Sequence, residues 1–241
     1  MASLLKLTVA RWAAGLIVSV TICSGCGDSI SEPGHTALVR VINASTNAQA
    51  INASYGTMPF VLNQGPNTFS YYAPLTPGQV TVSISSVSNP QNTVQTGHNF
   101  LAAQEYSVFV TNNGLGYQAT ILNDQSTAPP AGYFAVRLLQ QASKAGNVDI
   151  YLLPSGATLA NTNPLLTAVS PGTASSYINV PSGPYAIVIF PTGTKLPQGN
   201  PVVYTSASTQ FSDGQARTIL IVDQQVVKTP AVNAVIGSDW N

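Results

Sequence analysis

The chain has 241 residues, eight basic and eight acidic side chains, and only 7% charged residues, where a soluble domain ordinarily carries about 25%. No cluster of Lys and Arg supplies the electrostatic footprint that nucleic acid requires, which excludes a nucleic-acid partner. A composition of 44% hydrophobic residues at zero formal net charge excludes a disordered polymer. Abundant Ser, Thr, Asn, Gln, Gly and Pro beside Val, Ile and Tyr suit short strands and tight turns behind a neutral outer face.

In chain order, the first element is a leader. Lys6 and Arg11 are followed by an apolar stretch from Trp12 to Cys23, the size of a secretory signal core and too short to span a bilayer. It closes on Ile22-Cys23-Ser24-Gly25-Cys26, which resembles the lipobox of bacterial lipoproteins, with Cys23 where that pattern prefers Leu. The resemblance implies cleavage of residues 1–25 and acylation of Cys26. The remaining chain would hold six bases against eight acids and a single cysteine, so no internal disulfide. A tether over residues 26–36 follows; its Gly27–Thr36 stretch reaches roughly 30–35 Å at full extension.

The rest of the chain is written twice. Ala37-Leu38-Val39-Arg40-Val41 returns as Ala135-Val136-Arg137-Leu138-Leu139, and Val80–Ile84 returns as Tyr185–Ile189. Phe100 and Ser107–Val110 answer to Phe211 and Thr218–Ile221, and Leu122-Asn123-Asp124 answers to Gly237-Ser238-Asp239. Ser70-Tyr71-Tyr72 is set against Ser176-Tyr177-Ile178. Segments alternate or run apolar for four to eight residues and stop at Asn, Gly or Pro. Val80, Val82 and Ile84 oppose Thr81, Ser83 and Ser85, which gives one wet face, whereas Tyr185–Phe190 reads as buried on both faces. The expected architecture is all-β: two tandem antiparallel immunoglobulin-like β-sandwich domains, residues 37–124 and 133–241. Gln125–Gly132, with Pro129 and Pro130, forms a stiff linker, and cutting it is expected to release two independently melting fragments.

These repeats resemble the bacterial family called domain of unknown function 4397. The likeness rests on the Ala-x-Val-Arg-Val opening, Val148-Asp149-Ile150-Tyr151, and a closing Leu-Asn-Asp before an Ala-Pro-rich linker. It implies tandem domains on secreted or lipid-anchored proteins and supplies no activity. Copy one departs from it, with Ala50-Ile51-Asn52-Ala53 in place of the Val-Asp-Ile of copy two.

Residues for catalysis are sparse. His35 and His98 have no counterparts in the other copy, no Gly-x-Ser-x-Gly elbow occurs, and zinc or calcium motifs are missing. Neither catalytic residues, a metal nor a cofactor is expected; His98 is the centre of the alternative hydrolase reading. Asn123-Asp124 and Ser238-Asp239 could lend oxygens to a calcium ion or simply close strands. Arg40 and Arg137 are a matched cationic pair, either anion-binding or structural arginines paired with an acid such as Asp149. Tyr71 and Tyr72 belong to an aromatic cluster that would either stack on sugars or serve the core. The expectation is a non-catalytic binding or structural protein, held to the cell envelope by acyl chains on Cys26. Its partner there would be an envelope glycan or protein; a carbohydrate-binding surface module is the nearest alternative.

Overall fold

A computed structural model of the protein describes residues 35–46, 49–113, 116–194, 204–224 and 232–240. Cys26, the leader and most of the tether lie outside the described residues. Copy one comprises β1 (Ala37–Asn43), β2 (Ile51–Tyr55), β3 (Met58–Gln64), β4 (Thr68–Phe69), β5 (Ala73–Leu75), β6 (Gly78–Ser86), β7 (Thr93–Phe100), β8 (Glu105–Asn113) and β9 (Gly116–Asn123). Copy two comprises β10 (Tyr133–Gln140), β11 (Val148–Pro154), β12 (Leu166–Val169), β13 (Ile178–Pro181), β14 (Gly183–Pro191), β15 (Tyr204–Thr205), β16 (Thr209–Phe211), β17 (Ala216–Asp223) and β18 (Val232–Trp240).

Each copy is a β-sandwich. In copy one the sheet β4-β1-β8-β9, joined by β5, faces the sheet β3-β2-β6-β7; in copy two β13-β10-β17-β18 faces β12-β11-β14-β15, joined by β16. The strands pair antiparallel with one departure in each copy: β1 runs parallel to β8, and β10 parallel to β17. The two departures are superimposable by register, since Arg40 pairs with Ser107 as Arg137 pairs with Thr218.

Alternation sets the cores. Val39, Val41, Val82, Ile84, Phe100, Val108 and Val110 fill copy one, and Phe134, Leu138, Ile187, Ile189, Phe211 and Ile219 fill copy two. The wet face expected for β6 is present, with Val82 and Ile84 buried and Thr81 exposed. The continuous run in β14 is buried on both faces: Ile187 and Ile189 serve the core while Val188 and Phe190 pack with Tyr151 on the far side.

A third apolar cluster joins the copies. Ile42, Phe109, Phe69 and Leu122 of copy one meet Leu139, Leu220, Val222 and Val235 of copy two. This explains why β1 and β10 are buried along nearly their whole length: one face packs inside the sandwich and the other against the second copy. The described residues of the two copies accordingly belong to one compact unit. The linker is also tied down, because Ser126 Oγ accepts from the Glu105 amide at 3.0 Å and the Gly132 amide donates to Asp213 at 2.7 Å. A nick in residues 125–132 would therefore leave the copies joined through a buried layer, unlike the separately melting fragments expected from the linker alone.

Candidate functional site

The polar part of the junction is built twice. Arg40 leaves β1 toward copy two, where its Nη1 donates to the Ser238 carbonyl at 2.6 Å and its Nη2 pairs with Asp239. Its Nε donates to Ser107 Oγ at 2.8 Å. Arg137 leaves β10 toward copy one and repeats the pattern: Nη1 to the Asn123 carbonyl at 3.2 Å, Nη2 to Asp124 at 2.7 Å, and Nε to Thr218 Oγ1 at 3.2 Å. Each aspartate is completed by its own copy. Asp124 accepts from Ser107 Oγ and Tyr72 Oη, both at 2.6 Å; Asp239 accepts from Thr218 Oγ1 at 2.6 Å and Tyr177 Oη at 2.8 Å. Both guanidinium groups lie over a tyrosine ring, Tyr72 at 4.8 Å and Tyr177 at 4.9 Å.

Burial dictates the electrostatics. It alone would push the Arg40 guanidinium down, yet Asp239, Tyr72 and Asp124 together hold it above its ordinary value. Burial and then the neighbouring carboxylate push the Tyr72 and Tyr177 phenols far up, so both act as donors. Arg40 and Arg137 are 1% and 2% exposed, and their donors are spent inside the protein. The arginine pair thus takes the structural one of its two readings, with a different acid. Asp149 instead accepts from the Ala168 amide and Thr192 Oγ1. The strand-closing Asp124 and Asp239 direct their oxygens at arginine, serine, threonine and tyrosine. Among the described residues no group of three or more His, Cys, Asp or Glu could hold a metal ion.

The same geometry shifts one match by a residue. Ser70 Oγ accepts from the Val41 amide and Ser175 Oγ from the Leu138 amide, both at 2.9 Å. Ser70 therefore corresponds to Ser175 and Tyr72 to Tyr177, which leaves Tyr71 opposite Ser176.

Around this corner lies a groove of about 620 Å³, lined by Arg40, Phe69, Tyr71, Tyr72, Glu105 and the Ile236–Asp239 end of β18. Its volume falls in the range of small-ligand sites, about 300–1,000 Å³. Three of the four residues singled out as binding candidates meet here, Arg40 and Tyr72 in the wall and Tyr71 at the rim; Arg137 belongs to the other corner. Tyr71 is 96% exposed. Glu105, which no motif had singled out, places a carboxyl oxygen out of reach of water and without a hydrogen-bond partner. Burial, then Asp124, push its carboxyl up to about 7, against the pull of Arg40. The one signal that could have found it is its mismatch with Ala216 in copy two.

His98 lies away from this groove and packs its ring edge-on to Phe100 and Tyr106, with centroids at 5.0 and 5.2 Å.

A family model described as "Domain of unknown function (DUF4397)" matches residues 37–151 and 154–239. The division between its two matches falls within β11, past the linker that separates the structural copies. No curated protein matches the chain. Among solved structures, the C-terminal domain of AlgF from P. aeruginosa is similar at 19% identity, over 37% of this chain and 98% of that one, with a TM-score of 0.31.

Proposed function

The chain belongs to the DUF4397 family through both of its copies, and from that premise we propose that it is a lipid-anchored, non-catalytic binding module of the cell envelope. One observation carries the reading. The polar residues that the copies share are bonded to one another, and the unshared Phe69, Tyr71 and Glu105 join Arg40, Tyr72 and Asp239 in lining an open groove. A scaffold alone has no use for a fully presented tyrosine beside an unpartnered carboxyl. A catalyst would need a base within reach of a nucleophile, and the rings packed on His98 favour a structural use of that histidine.

Attachment follows from the leader. Acyl chains on Cys26 would give durable anchorage where one chain is marginal, and the short tether would keep copy one, with its groove, close to the membrane. Intact mass of the native protein tests the anchor: a diacylglyceryl adduct on an N-terminal Cys26 is expected, and unmodified protein in the culture fluid would refute it. A photo-crosslinking residue at position 71 tests the groove. It should trap one recurrent envelope component, and a residue placed on the polar face at position 83 should not.

The exposed Tyr71 favours a glycan over a protein as that component, because an isolated ring with both faces in water suits stacking on a pyranose better than filling a partner's apolar core. Tyr71→Ala should then abolish retention on envelope glycan while leaving the melting curve unchanged.

A further inference from the structure

We propose that the groove takes a glycan bearing a free amino group, its ammonium received by Glu105 and its sugar ring lying on Tyr71. This deepens the binding reading above and rests on it.

The argument starts from charge. Three ionised groups act on Glu105: Asp124 at the end of β9, Arg40 on β1 and Asp239 on β18. Two of them are acids. The one base is committed, with Arg40 donating to Ser107, to the Ser238 carbonyl and to Asp239. Arg217, on β17, gives Nη1 to the Ala216 carbonyl and to Ser238 Oγ. The groove lining therefore sets two carboxyls, Glu105 and Asp239, against one guanidinium that pairs with Asp239, and an oxygen of Glu105 meets no donor. Desolvation and Asp124 accordingly hold Glu105 close to half-protonated at neutral pH. An incoming ammonium supplies the cation that the groove lining lacks. A phosphate or carboxylate ligand meets the opposite situation: a wall whose guanidinium already pairs with Asp239 and a carboxyl that repels it.

Shape adds the second half. Tyr71 presents its whole ring at the rim, while its neighbour Tyr72 is anchored through Asp124. Phe69 forms an apolar wall, with Arg40 5.2 Å from its ring centroid. A pyranose offers a C–H face for a ring of this kind, and an amino substituent at its edge would reach toward the carboxyl. The other copy lacks the same three features, having Ala174, Ser176 and Ala216 at the matching positions, and the smaller cleft of about 270 Å³ beside Ala174 and Leu122 contains no carboxyl and no tyrosine among its lining residues.

The test is calorimetric titration of the full chain at pH 5.5, where the sugar amines are already charged, with the β-1,4-linked glucosamine hexamer, its fully N-acetylated counterpart and hexalysine. The glucosamine hexamer should bind, and the acetylated one at least about tenfold more weakly, the effect of one lost charge-assisted contact. Binding should release protons, read from the dependence of the heat on buffer ionisation, because Glu105 gives up its proton to meet the ammonium. Glu105→Gln should lose about tenfold in affinity together with that proton release, and Tyr71→Ala should lose about tenfold with the release intact. Equal binding of the acetylated hexamer would overturn the amine assignment and leave a glycan-binding groove. Binding of hexalysine in its place would overturn the glycan, and unchanged affinity in Glu105→Gln would overturn the role of that residue. If none of the three binds, the groove reading falls with it.

Discussion

The two corners of the junction share one polar design and differ in their apolar filling. In copy one Phe69 pairs with Ile42 at the edge of β1 and lies against Gly237; in copy two Ala174 bridges Leu139, and the residue matching Gly237 is Leu122. A Cβ on Gly237 would stand 2.4 Å from the Phe69 ring, nearer than side chains approach one another. Large meets small at one corner, and small meets large at the other. Duplication demanded that the ion pairs be kept, because a buried charge without its partner is costly. It left the apolar positions free to diverge so long as each gain in volume was matched across the junction.

The sharpest way to break the comparison is to remove a shared charge. Asp124→Ala or Arg40→Ala should cost about 3–5 kcal/mol by urea denaturation, since each strands a buried opposite charge. Asp124→Ala should be the worse of the two aspartate variants. Among the described residues Asp124 meets both Arg40 and Arg137, lying 3.6 Å from the first and pairing with the second, whereas the salt bridge of Asp239 is to Arg40. A milder break copies the filling of one corner onto the other. Gly237→Leu should cost about 1–3 kcal/mol by overpacking, and adding Phe69→Ala should recover most of it. A double variant no better than the single one would show that the two residues do not share the site.

Tyr72→Phe and Tyr177→Phe should each cost about 1.5 kcal/mol, the worth of a hydrogen bond to a charged group. Near-equal values would support the pseudo-symmetry of the polar network. The smallest effect concerns Glu105, which copy two replaces with Ala216. Its carboxyl binds a proton more tightly folded than unfolded, so stability is greatest below about 4.5 and declines as pH rises through about 7. Glu105→Ala should flatten that decline and gain about 1 kcal/mol at pH 8, after allowance for solvent screening of a half-buried group. Melting curves at pH 4.5 and pH 8 read the difference.

Much of the fold was legible from residues alone. Alternation in Val80–Ser85 and the unbroken run of Tyr185–Phe190 placed two strands on the correct faces. The offset between copies grows from 97 at Arg40 and Arg137 to 115 at Asp124 and Asp239, which puts the insertions in copy two. The junction was harder to see, because local periodicity speaks of whether a face is covered and says nothing of what covers it. Ala37–Asn43 reads as a strand apolar on both sides with an arginine inside it, and only the second sheet explains both facts. The clue lay in the pairing of repeats. Two matched arginines and two matched aspartates had no partners nearby in sequence, and each copy keeps its own acid at its far end. Glu105 left only a mismatch with Ala216 in such matching, since a residue present in one copy alone has no echo.

The reciprocal junction has a consequence for either half in isolation. A polar frame of this kind is self-complementary: copy two alone could set Arg137 against Asp239 of a twin, and copy one Arg40 against Asp124. The apolar positions forbid a good fit in both cases. Twinned first halves would press Phe69 against Leu122, and twinned second halves would leave a hollow between Ala174 and Gly237. The two halves have become left and right hands, and covalent succession in one chain guarantees that each finds the other at a ratio of one to one.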